Sequence, residues 1–358
     1  MKSVALINNT MNQMHHGCEV VVHQIETMLR DRGVSVVVSV MEGQHWRDAP
    51  EFMKSLPHLD GIVVNGEGTI HHNRRAGRHL VEVSQLAKSS GLPCFLINTT
   101  YQENSEEYRS YLEAFDRIYV RESESFRELE RIGIESRVIP DMTLSYHFRA
   151  PPESFREQRS GIGVTDSSMV STAEALYSLS VREGFSFLPV LRSYKNNWKF
   201  RWLELMRRAK FSLMLVLRQV IPSDSYLQVR NRYVKHSVND YLEALSRCEG
   251  IVSGRFHSDC FCLLTETPFL AIDGNSHKVS SMIRDVGLSP ERIIVQNEIE
   301  SVTKESVVSF SPSEKKAIKR YIDGADVLIN ECFDELVGIL EGRSVLNSAV
   351  TEAQVQVE

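Results

Sequence analysis

Arg255 and His257 stand two positions apart at the end of a short β-branched run, Gly250-Ile251-Val252-Ser253-Gly254, and Ser258 follows them. The run reads as a buried parallel strand that hands over to a turn and then to a helix. Open α/β sheets place their ligands at the carboxyl ends of such strands. A guanidinium and an imidazole at that point suit an anionic substrate on which a proton must also be moved. Backbone N–H groups at the mouth of the next helix favour a phosphate or carboxylate in the same place. The spacing is equally compatible with Arg255 pairing a structural carboxylate and His257 capping the helix.

Other stretches carry chemistry at comparable positions. Asn65-Gly66-Glu67-Gly68-Thr69 follows a buried strand and reads as a turn, its glycines allowing a ligand to approach the backbone. Glu67 is there either as a general base or as a turn residue. The turn leads into His71, His72, Asn73, Arg74 and Arg75. It is not the G-x-G-x-x-G of dinucleotide sites. The first strand runs into an amide-rich loop from Asn8 to Gly17. Arg121 ends a strand directly before a helix, and Lys278 starts a helix after another strand; both face a ligand in this layout or serve as solvated caps. His15, His16, His71 and His72 are the candidates for a metal cluster. Adjacent histidines diverge on a regular backbone and no acidic shell accompanies them, so no metal is expected.

The elements that position these residues alternate in type. Strands are expected at 3–8, 34–40, 61–65, 94–98, 117–121 and 137–139, and again at 161–164, 185–191, 250–254, 268–273 and 293–296. Between them lie helical patterns such as Val21, Ile25, Met28 and Leu29 closed by Gly33. Ser125 and Glu128 read as a capping box for the helix after Arg121. Later helices are expected at 239–248, 258–266, 277–286 and 312–342. The alternation predicts an α/β protein with two Rossmann-like domains facing a cleft. The first spans 1–148, a linker 149–158, the second 159–342, and a disordered tail 343–358.

With 358 residues, the chain is long enough for two such domains. A hydrophobic fraction of 42% and a charged fraction of 25% are those of a soluble globular protein. A net charge of -6 argues against bulk nucleic-acid binding. Cys18, Cys94, Cys248, Cys260, Cys262 and Cys332 lack paired spacing, which predicts reduced core thiols. The first apolar run is too short for a signal peptide, and no run approaches the roughly 20 apolar residues of a membrane span. A cytoplasmic location, or one at the inner membrane face, is expected. The stretch 198–220 mixes Lys199, Arg201, Arg207, Arg208, Lys210 and Arg218 with Trp and Leu, as interfacial helices and many surface helices do.

Taken in order, these pieces resemble the polysaccharide pyruvyl transferase family over about residues 3–290. The elements are Asn8 through Gly17, Gly66-Glu67-Gly68-Thr69-Ile70-His71, Val120-Arg121-Glu122-Ser123-Glu124-Ser125, Pro140-Asp141, Cys248 through Ser258, and Lys278. The resemblance implies a GT-B-like fold and transfer of the enolpyruvyl group of phosphoenolpyruvate onto a sugar, usually as a ketal, in bacterial cell-surface glycan synthesis. It implies His257 and Arg255 as catalytic, and Arg121, Lys278, Ser258 and Gly254 around the donor. Asn8, Gly17, Gly66, Glu67, Gly68, Thr69 and His71 would surround a sugar or lipid-linked oligosaccharide acceptor. No cofactor or catalytic metal is implied. The sequence departs from the family in Asn-Gly-Glu-Gly where many members have a glycine run, and in Gly17-Cys18-Glu19 where Gly-Asp is common. The alternatives are a glycosyltransferase of the same fold using a nucleotide sugar, with Glu67 as base, and a catalytically inactive interaction protein.

Overall fold

A computed structural model of the protein describes residues 1–148, 158–191 and 233–342. The first sheet is parallel and six-stranded: β1 (Lys2–Asn9), β2 (Val34–Met41), β3 (Gly61–His71), β4 (Cys94–Gln102), β5 (Arg117–Val120) and β6 (Arg137–Val138). Its helices are α1 (His16–Asp31), α2 (Pro50–Ser55), α3 (Arg75–Val81), α4 (Val83–Ser89), α5 (Glu107–Leu112) and α6 (Ser123–Arg131). Successive side chains of β1 enter opposite cores. Val4 and Leu6 pack with Val21 and Ile25 on one face, and Ala5 and Ile7 with Phe52 and Trp46 on the other. A strand covered on both faces needs this near-continuous apolar run.

The second sheet, also parallel, contains β7 (Ile162–Ser167), β8 (Ser186–Phe187), β9 (Gly250–Gly254), β10 (Phe269–Ile272) and β11 (Ile293–Ile294). With it go α7 (Val170–Glu183), α8 (Val238–Ser246), α9 (Phe256–Leu264) and α10 (Lys278–Val286). The strand orders are β2-β1-β3-β4-β5-β6 and, among the described residues, β11-β10-β9-β7-β8. Order therefore reverses between β1 and β3 in one sheet and between β7 and β9 in the other. Loops leave a sheet in opposite directions at such a reversal and open a crevice. The two crevices face each other.

Helix α11 (Pro312–Leu340) begins with a capping box, Ser311 with Glu314. The sequence assigns it to the second domain, but it serves both. Ile318 and Ala325 belong to the second domain's core, while Ile329, Phe333, Leu336 and Leu340 pack against Val4, Leu6 and Val63 of the first. A helix of 29 residues is about 44 Å long, enough to cross from one domain to the other.

Two local expectations need correction. The glycine stretch after residue 65 is not a turn: β3 continues to His71, pairing with β4 through an irregularity between Glu67 and Ile70. Ser125 and Glu128 do not cap α6, which starts at Ser123 with no cap from its own side chains. The cap comes from the other domain. Asp285 on α10 accepts from Ser123 N (2.8 Å) and from its Oγ (2.5 Å), and Ser281 Oγ accepts from Glu124 N (3.2 Å). Ser125 instead donates to Glu122 and accepts from Tyr101 N, and Glu128 accepts from Glu103 N.

All six cysteines are free and buried. No helix among the described residues is long and apolar enough to cross a membrane. The segment 198–220, the tail 343–358 and nearly all of the linker 149–158 lie outside the described residues.

Candidate functional site

Between the domains lies a cavity of about 290 Å³. Its first wall is fixed from behind by amides at the strand ends. Asn8 Nδ2 donates to Asn65 O (2.7 Å), Asn98 Nδ2 to Asn65 Oδ1 (3.4 Å), and Met142 N to Asn98 Oδ1 (3.1 Å). Asn8, Glu67 and Asn98 all have left-handed backbones, with φ of 64°, 49° and 52°. For residues other than glycine that conformation is costly and persists only where the surroundings hold it. The amide chain does so here, and the Glu67 carboxylate is held by Thr10 Oγ1 (3.0 Å) and Asn65 Nδ2 (3.4 Å).

His257, in the first turn of α9, reaches across the cleft into this wall. Its Nε2 lies 3.4 Å from Glu67 and 3.7 Å from Asp141. Burial alone would raise the Asp141 carboxyl, but His257, Arg121 and the Thr143 hydrogen bond outweigh it and hold the group far below the usual carboxylate range. Arg121 donates to Asp141 (3.0 Å) and to Thr100 Oγ1 (3.0 Å) and lies over the Phe256 ring at 4.3 Å. The ring of His257 sits against Gly17 of α1. A Cβ there would fall 2.3 Å from the His257 Cβ, so only glycine permits the approach.

The second wall supplies cations. Arg255 Nη2 donates to the buried Asp166 at 2.6 Å. Half-buried Lys278 has neither ion pair nor hydrogen bond among the described residues. Burial, then the Arg121 guanidinium, pulls its ammonium down to about 8. Lys278 and Arg121 converge on Gly68, where a Cβ would come within 3.3 Å of Lys278 Nζ and 3.2 Å of Arg121 Nη2. The missing side chain leaves the two cations open to the cavity. His71, kept neutral by burial and by Arg74 and Lys278, titrates at about 4. Ser167 and Ser168, just ahead of α7, complete this side.

Of the residues expected from sequence, Glu67, Gly68, Thr69, His71, Arg121, Gly254, Arg255, His257 and Lys278 line the cavity. Asn8, Gly17, Gly66 and Ser258 stand behind the wall and shape it. Asn8 holds Asn65, Gly17 admits His257, Gly66 packs on Thr99, and Ser258 is hydrogen-bonded to Tyr241 (2.9 Å). Three participants take roles that the sequence did not suggest: Asp141, noted only within a family element, Asp166, and His15, named only as a metal candidate. The first two are acids at strand ends, a signal that sequence shares with many solvated turns. The four-histidine cluster does not form; instead His15, Cys18 and His257 bring donor atoms within 4.8 Å of one another. His15 Nδ1, however, accepts from Gly17 N (3.0 Å) and Cys18 N (3.4 Å). The proton then sits on Nε2, so both ring nitrogens are committed and binding a cation would break that cap.

A sequence profile described as polysaccharide pyruvyl transferase matches residues 15–276. No curated protein matches the chain. Among solved structures it is similar to a Staphylococcus aureus MnaA–UDP structure (TM-score 0.58, 10% identity, 97% of this chain and 98% of that one). It is also similar to Phytolacca americana UGT2 with UDP-2-fluoro-glucose and pterostilbene (0.54, 9%, 95% and 100%). A third is a putative UDP-N-acetylglucosamine 2-epimerase from Listeria monocytogenes (0.54, 8%, 96% and 98%). At such identities the likeness establishes the two-domain GT-B-like fold and nothing about ligands.

Proposed function

The chain belongs to the polysaccharide pyruvyl transferase family, and from that premise we propose that it transfers the enolpyruvyl group of phosphoenolpyruvate onto a sugar of a cell-surface polysaccharide. The observation that carries the donor assignment is the convergence of Lys278 and Arg121 on Gly68, with Arg255 on the same cavity. Phosphoenolpyruvate carries a phosphate and a carboxylate close together, and both call for cationic clamps. Lys278, without a partner among the described residues, gives up no ion pair there to bind an anion.

His257 is the proton donor to the methylene carbon of the enol, which leaves an oxocarbenium-like centre at C2. A sugar hydroxyl adds to C2, and His257 takes up the hydroxyl proton. A second hydroxyl of the same sugar then closes the ketal as the C2–O bond to phosphate breaks; its proton leaves with the phosphate. Glu67 and Asp141, 3.4 and 3.7 Å from Nε2, hold the imidazole in line for both transfers. Neither step calls on a cofactor. The acceptor enters past Thr69 and His71, and a lipid-linked oligosaccharide would bring the enzyme to the inner membrane face.

A thermal-shift screen followed by a phosphate-release assay tests this. Phosphoenolpyruvate should stabilise the protein, and phosphate release should depend on an oligosaccharide or undecaprenyl-linked acceptor. Stabilisation by a nucleotide sugar with no response to phosphoenolpyruvate would favour glycosyl transfer instead.

A further inference from the structure

We propose that His15 is a substrate-contacting residue, a neutral imidazole whose Nε2–H donates a hydrogen bond to an anionic oxygen of the donor. The inference rests on the phosphoenolpyruvate reading above. His15 is the N-cap of α1, and its Nδ1 accepts from the backbone N–H groups of Gly17 and Cys18. An acceptor role at Nδ1 in a neutral ring leaves the proton on Nε2. The backbone here is tied to the second domain, and the ring itself rests against a second imidazole. His15 forms a bridge to Leu191, His16 N donates to Val190 O (3.1 Å), and the His257 ring meets it edge-on at a centroid distance of 5.3 Å.

Only 8% of His15 is exposed, yet it lines the cavity, and its Nε2 has no hydrogen-bond partner among the described residues. That nitrogen is not sealed off but opens onto the cavity, where water accepts from it until a substrate oxygen takes the place. Burial, with Arg255 just ahead of α9, His257 on it and the adjacent His16, keeps the ring from taking a second proton. A neutral donor suits this place. A second imidazolium beside His257 would compete for the same carboxylates, whereas a fixed N–H can meet an anionic oxygen without moving a proton. The helix cap thus sets the tautomer, and the tautomer sets what the ring offers the substrate.

The test separates capping from donation. Serine is as good an N-cap but too short to reach the cavity. His15→Ser should therefore melt within a few degrees of the wild type while acceptor-dependent phosphate release from phosphoenolpyruvate falls about a hundredfold, the scale of losing one such donor. Nitrogen-15 spectra of the full-length protein should show His15 as the Nε2–H tautomer between pH 8 and 6. Phosphoenolpyruvate should shift that proton together with the His257 signals. Wild-type turnover in His15→Ser, or a donor that moves the His257 signals and leaves His15 still, would overturn the inference. If neither histidine responds and the melting temperature stays fixed, the donor assignment itself is wrong and this inference goes with it.

Discussion

The two walls of the cleft hold their chemistry in different ways. On the first, Glu67, Arg121 and Asp141 are buried and tied to several partners each, and the strand ends behind them carry left-handed asparagines joined by amide hydrogen bonds. From the second, His257 on α9 reaches across into that network, while Lys278 in the first turn of α10 meets no partner among the described residues. One wall is built before substrate arrives; the other keeps unspent charge for it. A preorganised network around His257 serves the reacting centre, where misplacement costs rate, while the unpartnered Lys278 serves affinity.

That contrast can be broken in order of expected effect. His257→Ala should lower turnover by about a thousandfold, in the range for a lost acid–base group, read as phosphate release at saturating donor. A loss confined to KM would put His257 among the clamps. Lys278→Met should act the other way, raising the KM for phosphoenolpyruvate by about thirtyfold with kcat within a fewfold, since it removes a charge-assisted contact made already in the ground state. The ammonium binds an anion only while protonated, and its free-protein value is about 8. Affinity should therefore fall as pH rises through 8, and Lys278→Met should abolish that limb of the profile.

Gly17→Ala probes the close approach between α1 and α9. Overpacking typically costs about 1–3 kcal/mol, and here it also displaces His257, so a drop of roughly tenfold in kcat should accompany a lower melting temperature. Asp285→Ala removes the cap that α10 lends to α6. A lost N-cap is worth about 1 kcal/mol, and its effect should appear in denaturant unfolding more than in kcat.

Much of this layout was legible in the chain. Buried parallel strands announce themselves as β-branched runs, and Arg121, Arg255 and Lys278 sit where such runs end, so their common direction followed from the α/β alternation. What the sequence did not disclose depends on contacts between distant segments. The α6 cap is supplied by Asp285, more than 150 residues away, so the nearby Ser125 and Glu128 offered a plausible but false local answer. Gly17 looked like the end of an amide-rich ligand loop, whereas it lies in α1 against His257, a neighbour that no local pattern reveals. Glycines at 66 and 68 suggested a turn, although extended backbone paired with β4 accommodates them equally well. The pairing of α11 with both domains escaped for the same reason. Its apolar stripe shows that it packs, and only the tertiary fold shows against what.

Calorimetric titration of phosphoenolpyruvate into the wild type, His257→Ala and Lys278→Met tests the central claim without requiring an identified acceptor. The expected result is binding to the wild type, retention within about threefold in His257→Ala, and at least tenfold weakening in Lys278→Met, the scale of a lost charge-assisted contact. No binding to the wild type, alongside saturable binding of a UDP-sugar, would contradict the account.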